Sequence, residues 1–203
     1  IGLVGHSEGG LIAPIAAGQS ALIDFVVLLA GPGVPSRDLV LTQSRRFAMF
    51  RGTDEETLAR IMEIQVRLAD ITIAPTSQDD ARVEIEAFLT EDLMSSVGDD
   101  PANRDNAITS VLSPWYRYFM RHDPAPYLAA LDIPVLVLNG SLDMQVEAAD
   151  NLAGMREHLA GTPDTTILEL EGLNHMFQTA ETGSMMEYAQ IEETFAPSAL
   201  VLI

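Results

Sequence analysis

"IGLVGHSEGG", residues 1–10, is an apolar run from Ile1 to Val4 that ends in Gly5-His6-Ser7-Glu8-Gly9-Gly10, and the apolar stretch Leu11 to Ala17 follows at once. The first run reads as a strand and the last as a buried helix. The chain must then turn abruptly between them, which puts Ser7 at the apex in strained backbone geometry. Glycines on either side of the serine are expected because a Cβ there would collide with the neighbouring strand or helix. The Ser7 hydroxyl would stand exposed above a sheet, and the Glu8 amide, opening the helix, would aim a donor at a developing oxyanion. G-x-S-x-G has only three fixed residues and also occurs in ordinary glycine turns. Its meaning therefore depends on whether a base and an acid follow it in suitable places.

Downstream, "DFVVLLAGPG" (Asp24 to Gly33) is a nearly continuous apolar run closed by glycine and proline, the pattern of a strand buried on both faces. "IPVLVLNG" (Ile133 to Gly140) and "TTILELEG" (Thr165 to Gly172) are read the same way. Between these two, "AADNLAGMREHLAG" predicts a helix of about three turns, completing a strand–helix–strand unit. Parallel strands joined by helices make an α/β sheet with helices on both faces. Residues 36 to about 127 break that alternation. "RDLVLTQSRRFAMFRG", "DEETLARIMEIQVRLADI", "DDARVEIEAFLTEDLMSSV" and "NRDNAITSVLSPWYRYFMRHD" carry helical periodicity, divided by Pro75 and by a Gly98–Pro101 loop. Asp54, with Thr57 beyond it, is a helix start. The expected organisation is a core of residues 1–35 and 128–203 interrupted by a helical lid, residues 36–127. Phe47, Met49, Phe50, Trp115, Tyr116, Tyr118, Phe119 and Met120 in that block suit either an acyl pocket or ordinary packing of helix faces.

Composition narrows the classes. The chain has 203 residues, 47% of them hydrophobic, enough for one domain with a substantial core. Thirty acidic residues against 11 basic ones give a formal charge of −19. Such a surface repels phosphate backbones and anionic lipid, which argues against a nucleic-acid partner. Cysteine is absent, so neither a disulfide framework nor a thiol nucleophile is available. No spaced His, Cys or carboxylate cluster suggests a metal, and no apolar run reaches the roughly 18 residues of a membrane span. The compartment is left open.

Of the four histidines, His158 falls in a predicted helix and reads as solvated. His122 sits at a helix end, where capping is expected. His6 lies inside the turn, with its side chain directed away from the apex, in an orienting or packing role. His175 follows the last predicted strand in "LEGLNHMF", where a base could reach across the top of the sheet. The acid candidate is Asp143 in "NGSLDMQV", just past the strand before it. Glu147 and Asp150 are weaker rivals because both fall on the following helix. Carboxyl ends of parallel strands are where open α/β sheets keep their ligands, and the order Ser, Asp, His matches a known triad order for such sheets.

With "GHSEGG", "LLAGPG", "NGSLD" and "GLNHMFQ" in hand, the chain resembles the α/β-hydrolase superfamily, particularly bacterial serine esterases and peptidase-like hydrolases. The resemblance implies Ser7 as nucleophile, His175 as general base and then acid, Asp143 as its orienting partner, and the Glu8 amide as one oxyanion donor. It implies a carboxylic ester hydrolase working on a small ester or acyl substrate through an acyl-serine, with no cofactor. Cleavage of amides or thioesters, or an inert association module, stays open beside it. Members of the superfamily have strands before the turn and a second oxyanion donor among them. The sequence is therefore expected to be the carboxyl-terminal part of such a hydrolase, with Ile1–Val4 an open apolar sheet edge. A homo-oligomer covering that edge is expected.

Overall fold

The computed structural model describes residues 1–98 and 100–203, so Asp99, within the break expected at Gly98–Pro101, lies outside them. In chain order the first elements are β1 (Gly2–His6), α1 (Gly9–Ala17) and β2 (Phe25–Leu29). Six helices follow: α2 (Ser36–Phe50), α3 (Glu55–Ile73), α4 (Gln78–Phe88), α5 (Glu91–Ser96), α6 (Arg104–Val111) and α7 (Pro114–Met120). The chain then forms α8 (Ala125–Leu128), β3 (Val135–Gly140), α9 (Ala148–His158), β4 (Thr165–Leu170) and α10 (Pro197–Leu200). It divides into two compact units, one made of Ile1–Pro35 and Asp123–Ile203 and the other of Ser36–His122.

The first unit is built on a four-stranded sheet in the order β1-β2-β3-β4. Every adjacent pair is parallel, with Val4 opposite Val27, Val27 opposite Leu136 and Leu136 opposite Thr166. Side chains alternate faces along each strand, so Val26, Leu28, Val135 and Val137 point one way. They pack with Ala13 of α1, Leu128 of α8, and Leu152 and Met155 of α9. Val27, Leu29 and Leu138 point the other way, onto Leu173, Phe177, Ala196 and Ala199. On that second face the covering helix is the short α10, and the loop after β4 supplies the remaining cover. β2 and β3 are buried on both sides, as their apolar runs predict. β4 departs from that expectation: none of its residues is fully buried, and Thr166 and Glu169 are exposed. It pairs with β3 alone and sits at the sheet's edge.

In the helical unit, short polar residues set the helix starts by accepting exposed amide hydrogens. Asp54 accepts from Thr57 (3.0 Å), which holds its carboxyl below the usual range, and Ser77, Thr90 and Ser113 accept from Asp80, Leu93 and Tyr116. Ile64, Ile71, Ile85, Leu89, Ile108 and Leu112 form its core. Arg117 and Arg121 donate to the carbonyls of Thr72, Ile73, Ala74 and Thr76, closing the carboxyl end of α3.

Candidate functional site

β1 runs into α1 through a turn whose apex is Ser7, held at φ +57°. That left-handed conformation is strained for a residue with a side chain. Backbone bonds over-determine it: the Ser7 amide donates to the Leu29 carbonyl of β2 (2.9 Å), and the Gly10 amide donates to the Ser7 carbonyl (2.8 Å). Sterics around the turn correct one expectation. A Cβ at Gly5 would strike the Gly9 carbonyl, but at Gly9 it would meet nothing within 4 Å. The second tight position is Gly10, where a Cβ would come 2.5 Å from the Gly31 Cα. The crowding comes from the far end of β2, so the extra glycine, and not the one inside the motif, permits helix and strand to meet.

Three side chains converge beside this turn. His175 Nε2 lies 3.0 Å from Ser7 Oγ, and His175 Nδ1 lies 2.8 Å from Asp143 Oδ2. Asp143 is fully buried and His175 nearly so at 3% exposure. A carboxylate only accepts, so the imidazole hydrogen sits on Nδ1 and leaves the Nε2 lone pair facing the serine hydroxyl. The other carboxylate oxygen, Oδ1, accepts the amides of Gln145 and Val146, each at 2.8 Å. Asn139 at the end of β3 donates to the Val146 carbonyl (3.0 Å), bracing the same loop. Gln145 also donates through Nε2 to the Tyr188 hydroxyl (3.2 Å). Burial pushes the Tyr188 phenol up from its usual pKa, and the Asp143 charge acts in the same direction.

The loop carrying His175 is held from within. Asn174 Oδ1 accepts the amides of Met176 (2.9 Å) and Gln178 (3.0 Å), while its Nδ2 donates to Gln178 Oε1 (3.0 Å). Gln178 Nε2 in turn donates to the Glu193 carbonyl. Phe177, at φ +58°, is buried and stacks on Phe195 with centroids 5.1 Å apart. None of these supports was singled out from the sequence. A short polar residue such as Asn174 in a glycine-bounded loop was the available signal, since asparagine can bond the backbone two residues on.

The other candidates fall elsewhere. Glu147 caps α9 by accepting from Asp150, and Asp150 is exposed on that helix's first turn. His158 ends α9, and the buried His122 accepts the Ser36 amide at its carbonyl. His6 bonds the His175 carbonyl through its ring nitrogen Nε2. Glu8 precedes α1 as its cap residue. Among the described residues no group of three His, Cys, Asp or Glu is placed to hold a metal ion, and no helix is long and apolar enough to cross a membrane.

A parallel sheet whose strand passes through a serine at positive φ directly into a helix, with an aspartate and a histidine on the loops after two later strands, has the architecture of the α/β-hydrolase fold. This chain carries four strands of it. No family model matches the sequence, and no curated protein matches it. Solved structures do. They include a proline iminopeptidase-related protein from Thermus thermophilus (18% identity, TM-score 0.46, covering 86% of this chain and 57% of that one). An esterase from Pyrococcus furiosus matches at 13% identity and TM-score 0.45, over 84% of this chain and 44% of its own. An α/β fold family hydrolase from Bacillus anthracis matches at 18% and 0.44, over 86% and 60%. The chain spans about half the length of these structures. At such identities and scores they are likenesses of fold, and the assignment rests on the chain's own sheet and turn.

Proposed function

We propose that the protein hydrolyses carboxylic esters of small molecules through an acyl-serine intermediate. The observation that carries this reading is the continuous line from Asp143 through His175 to the Ser7 hydroxyl, at 2.8 and 3.0 Å. Ser7 Oγ attacks the ester carbonyl carbon as its proton passes to His175 Nε2. Asp143 keeps the imidazole hydrogen on Nδ1 and stabilises the imidazolium without taking up that proton. The tetrahedral oxyanion is met by the Glu8 amide at the start of α1. Collapse breaks the bond to the leaving alkoxide, which takes the proton from His175 and departs as the alcohol. Water then attacks the acyl-serine, giving its proton to His175, and collapse returns Ser7 and releases the acid.

The test is active-site labelling followed by a substrate panel. A fluorophosphonate is expected to attach to Ser7, with no label in Ser7→Ala and short-chain esters cleaved ahead of matched thioesters and aminoacyl amides. Labelling that persists in Ser7→Ala removes the nucleophile assignment. Faster amide or thioester cleavage keeps the acyl-serine and changes the substrate class.

A further inference from the structure

The geometry points to His6 as the positioning residue that sets the distance between Ser7 and His175. His6 is the last residue of β1 and the covalent neighbour of Ser7. Its Nε2 lies 2.8 Å from the main-chain carbonyl oxygen of His175. A carbonyl oxygen only accepts, so His6 carries its hydrogen on Nε2 and donates. The two imidazole rings also lie against each other, with centroids 4.8 Å apart and planes inclined at 45°. The Phe177 ring also meets His6 edge-on, with centroids 6.3 Å apart.

Together these contacts close a small ring. One peptide bond joins His6 to Ser7, one hydrogen bond joins His175 to Ser7, and one joins His6 back to His175. The strand bearing the serine and the loop bearing the histidine come from opposite edges of the sheet, so no ladder bond ties one to the other. Asp143 restrains His175 at Nδ1 yet leaves its distance from β1 unset. His6 supplies that missing restraint, and it holds the main chain of His175, leaving the reacting imidazole atoms free to exchange protons. A catalytic group displaced by about 1 Å can lose on the order of a hundredfold in rate.

This inference deepens the proposed ester hydrolysis and rests on it for the rate readout alone. Nitrogen-15 histidine spectra of the unaltered protein are expected to show His6 with its hydrogen on Nε2 and His175 with a slowly exchanging hydrogen on Nδ1. A His6 hydrogen on Nδ1 overturns the proposal with no variant needed. His6→Phe keeps the ring and removes the donor, whereas His6→Gln restores an NH at the same number of bonds from the backbone. With Ser7→Ala as the blank, His6→Phe is expected to react with fluorophosphonate about ten- to a hundredfold more slowly at saturating probe. The half-saturating concentration should not change, and the His175 Nδ1 hydrogen should exchange faster. His6→Gln should recover most of both. A folded His6→Phe that labels at the parent rate, or a His6→Gln as slow as His6→Phe, overturns it. If the unaltered protein never labels at Ser7, ester hydrolysis fails, and the His6 hydrogen and the exchange of the His175 hydrogen still decide the role of His6.

Discussion

β1 and β4 are the two edge strands of one sheet, and each delivers a member of the candidate site by different means. β1 hands over Ser7 with no loop at all. The strand ends at His6, the serine follows, and α1 begins at Gly9. Stiffness there comes from backbone meeting backbone, with Gly5 against Gly9 and Gly10 against Gly31. β4 ends at Leu170 and reaches His175 through a loop that two side chains, Asn174 and Gln178, knit together. A serine aimed by close packing tolerates almost no added volume. A histidine aimed by side-chain hydrogen bonds tolerates volume better but depends on every donor and acceptor being matched.

The sharpest way to break the β1 side is one methyl group. Gly10→Ala would drive a Cβ to 2.5 Å from the Gly31 Cα, a backbone atom that cannot swing aside. Overpacking of this kind costs about 3 kcal/mol. Gly9→Ala adds the same methyl one residue earlier, into open space at the start of α1. It should leave stability within about 1 kcal/mol of the parent, on the gaining side, because alanine favours helix over glycine. Urea unfolding of the two variants side by side checks this. Equal loss in both would mean that the motif glycine is sterically required after all.

On the β4 side, Asn174→Ala removes the acceptor for two amides and the donor to Gln178, and the Asn174 and Gln178 side chains are themselves buried. Stranded buried groups cost about 1–3 kcal/mol, less than the expected damage at Gly10. The loop should also loosen, so fluorophosphonate labelling of Ser7 is expected to slow by about tenfold. Unchanged labelling at reduced stability would mean that His175 is held by Asp143 and His6 without help from its own loop.

The contrast also explains what could be read in advance. The meeting of Ser7, Asp143 and His175 is legible in the sequence because each follows an apolar run closed by a glycine, and parallel strands present those ends together. The tight glycine was misplaced because its neighbour is Gly31, at the end of a different strand. Asn174 and Gln178 could not be foreseen, since their bonds depend on a loop closing on itself and on Glu193 returning to it. The half-exposure of β4 did have a signal in Glu169 and Glu171, two charges inside the run read as a buried strand. The isoleucine and leucines of that run give it the look of a buried strand, while the two charges mark positions turned to solvent.

Those charges lead to the smallest expected effect. An unpaired strand edge is a template for another strand, and charged side chains are a common means of discouraging it. β4 carries the exposed Glu169 and is followed by the exposed Glu171. Glu169→Gln keeps the side chain's length and removes its charge, and at an exposed position it should change stability by no more than about 0.5 kcal/mol. Without that charge the β4 edge is expected to associate more readily, so light scattering behind size exclusion at micromolar concentration should show a larger mean mass for the variant than for the parent. The difference should grow as salt screens the charge that remains. A variant as dispersed as the parent at every salt concentration would show that Glu169 does not protect this edge.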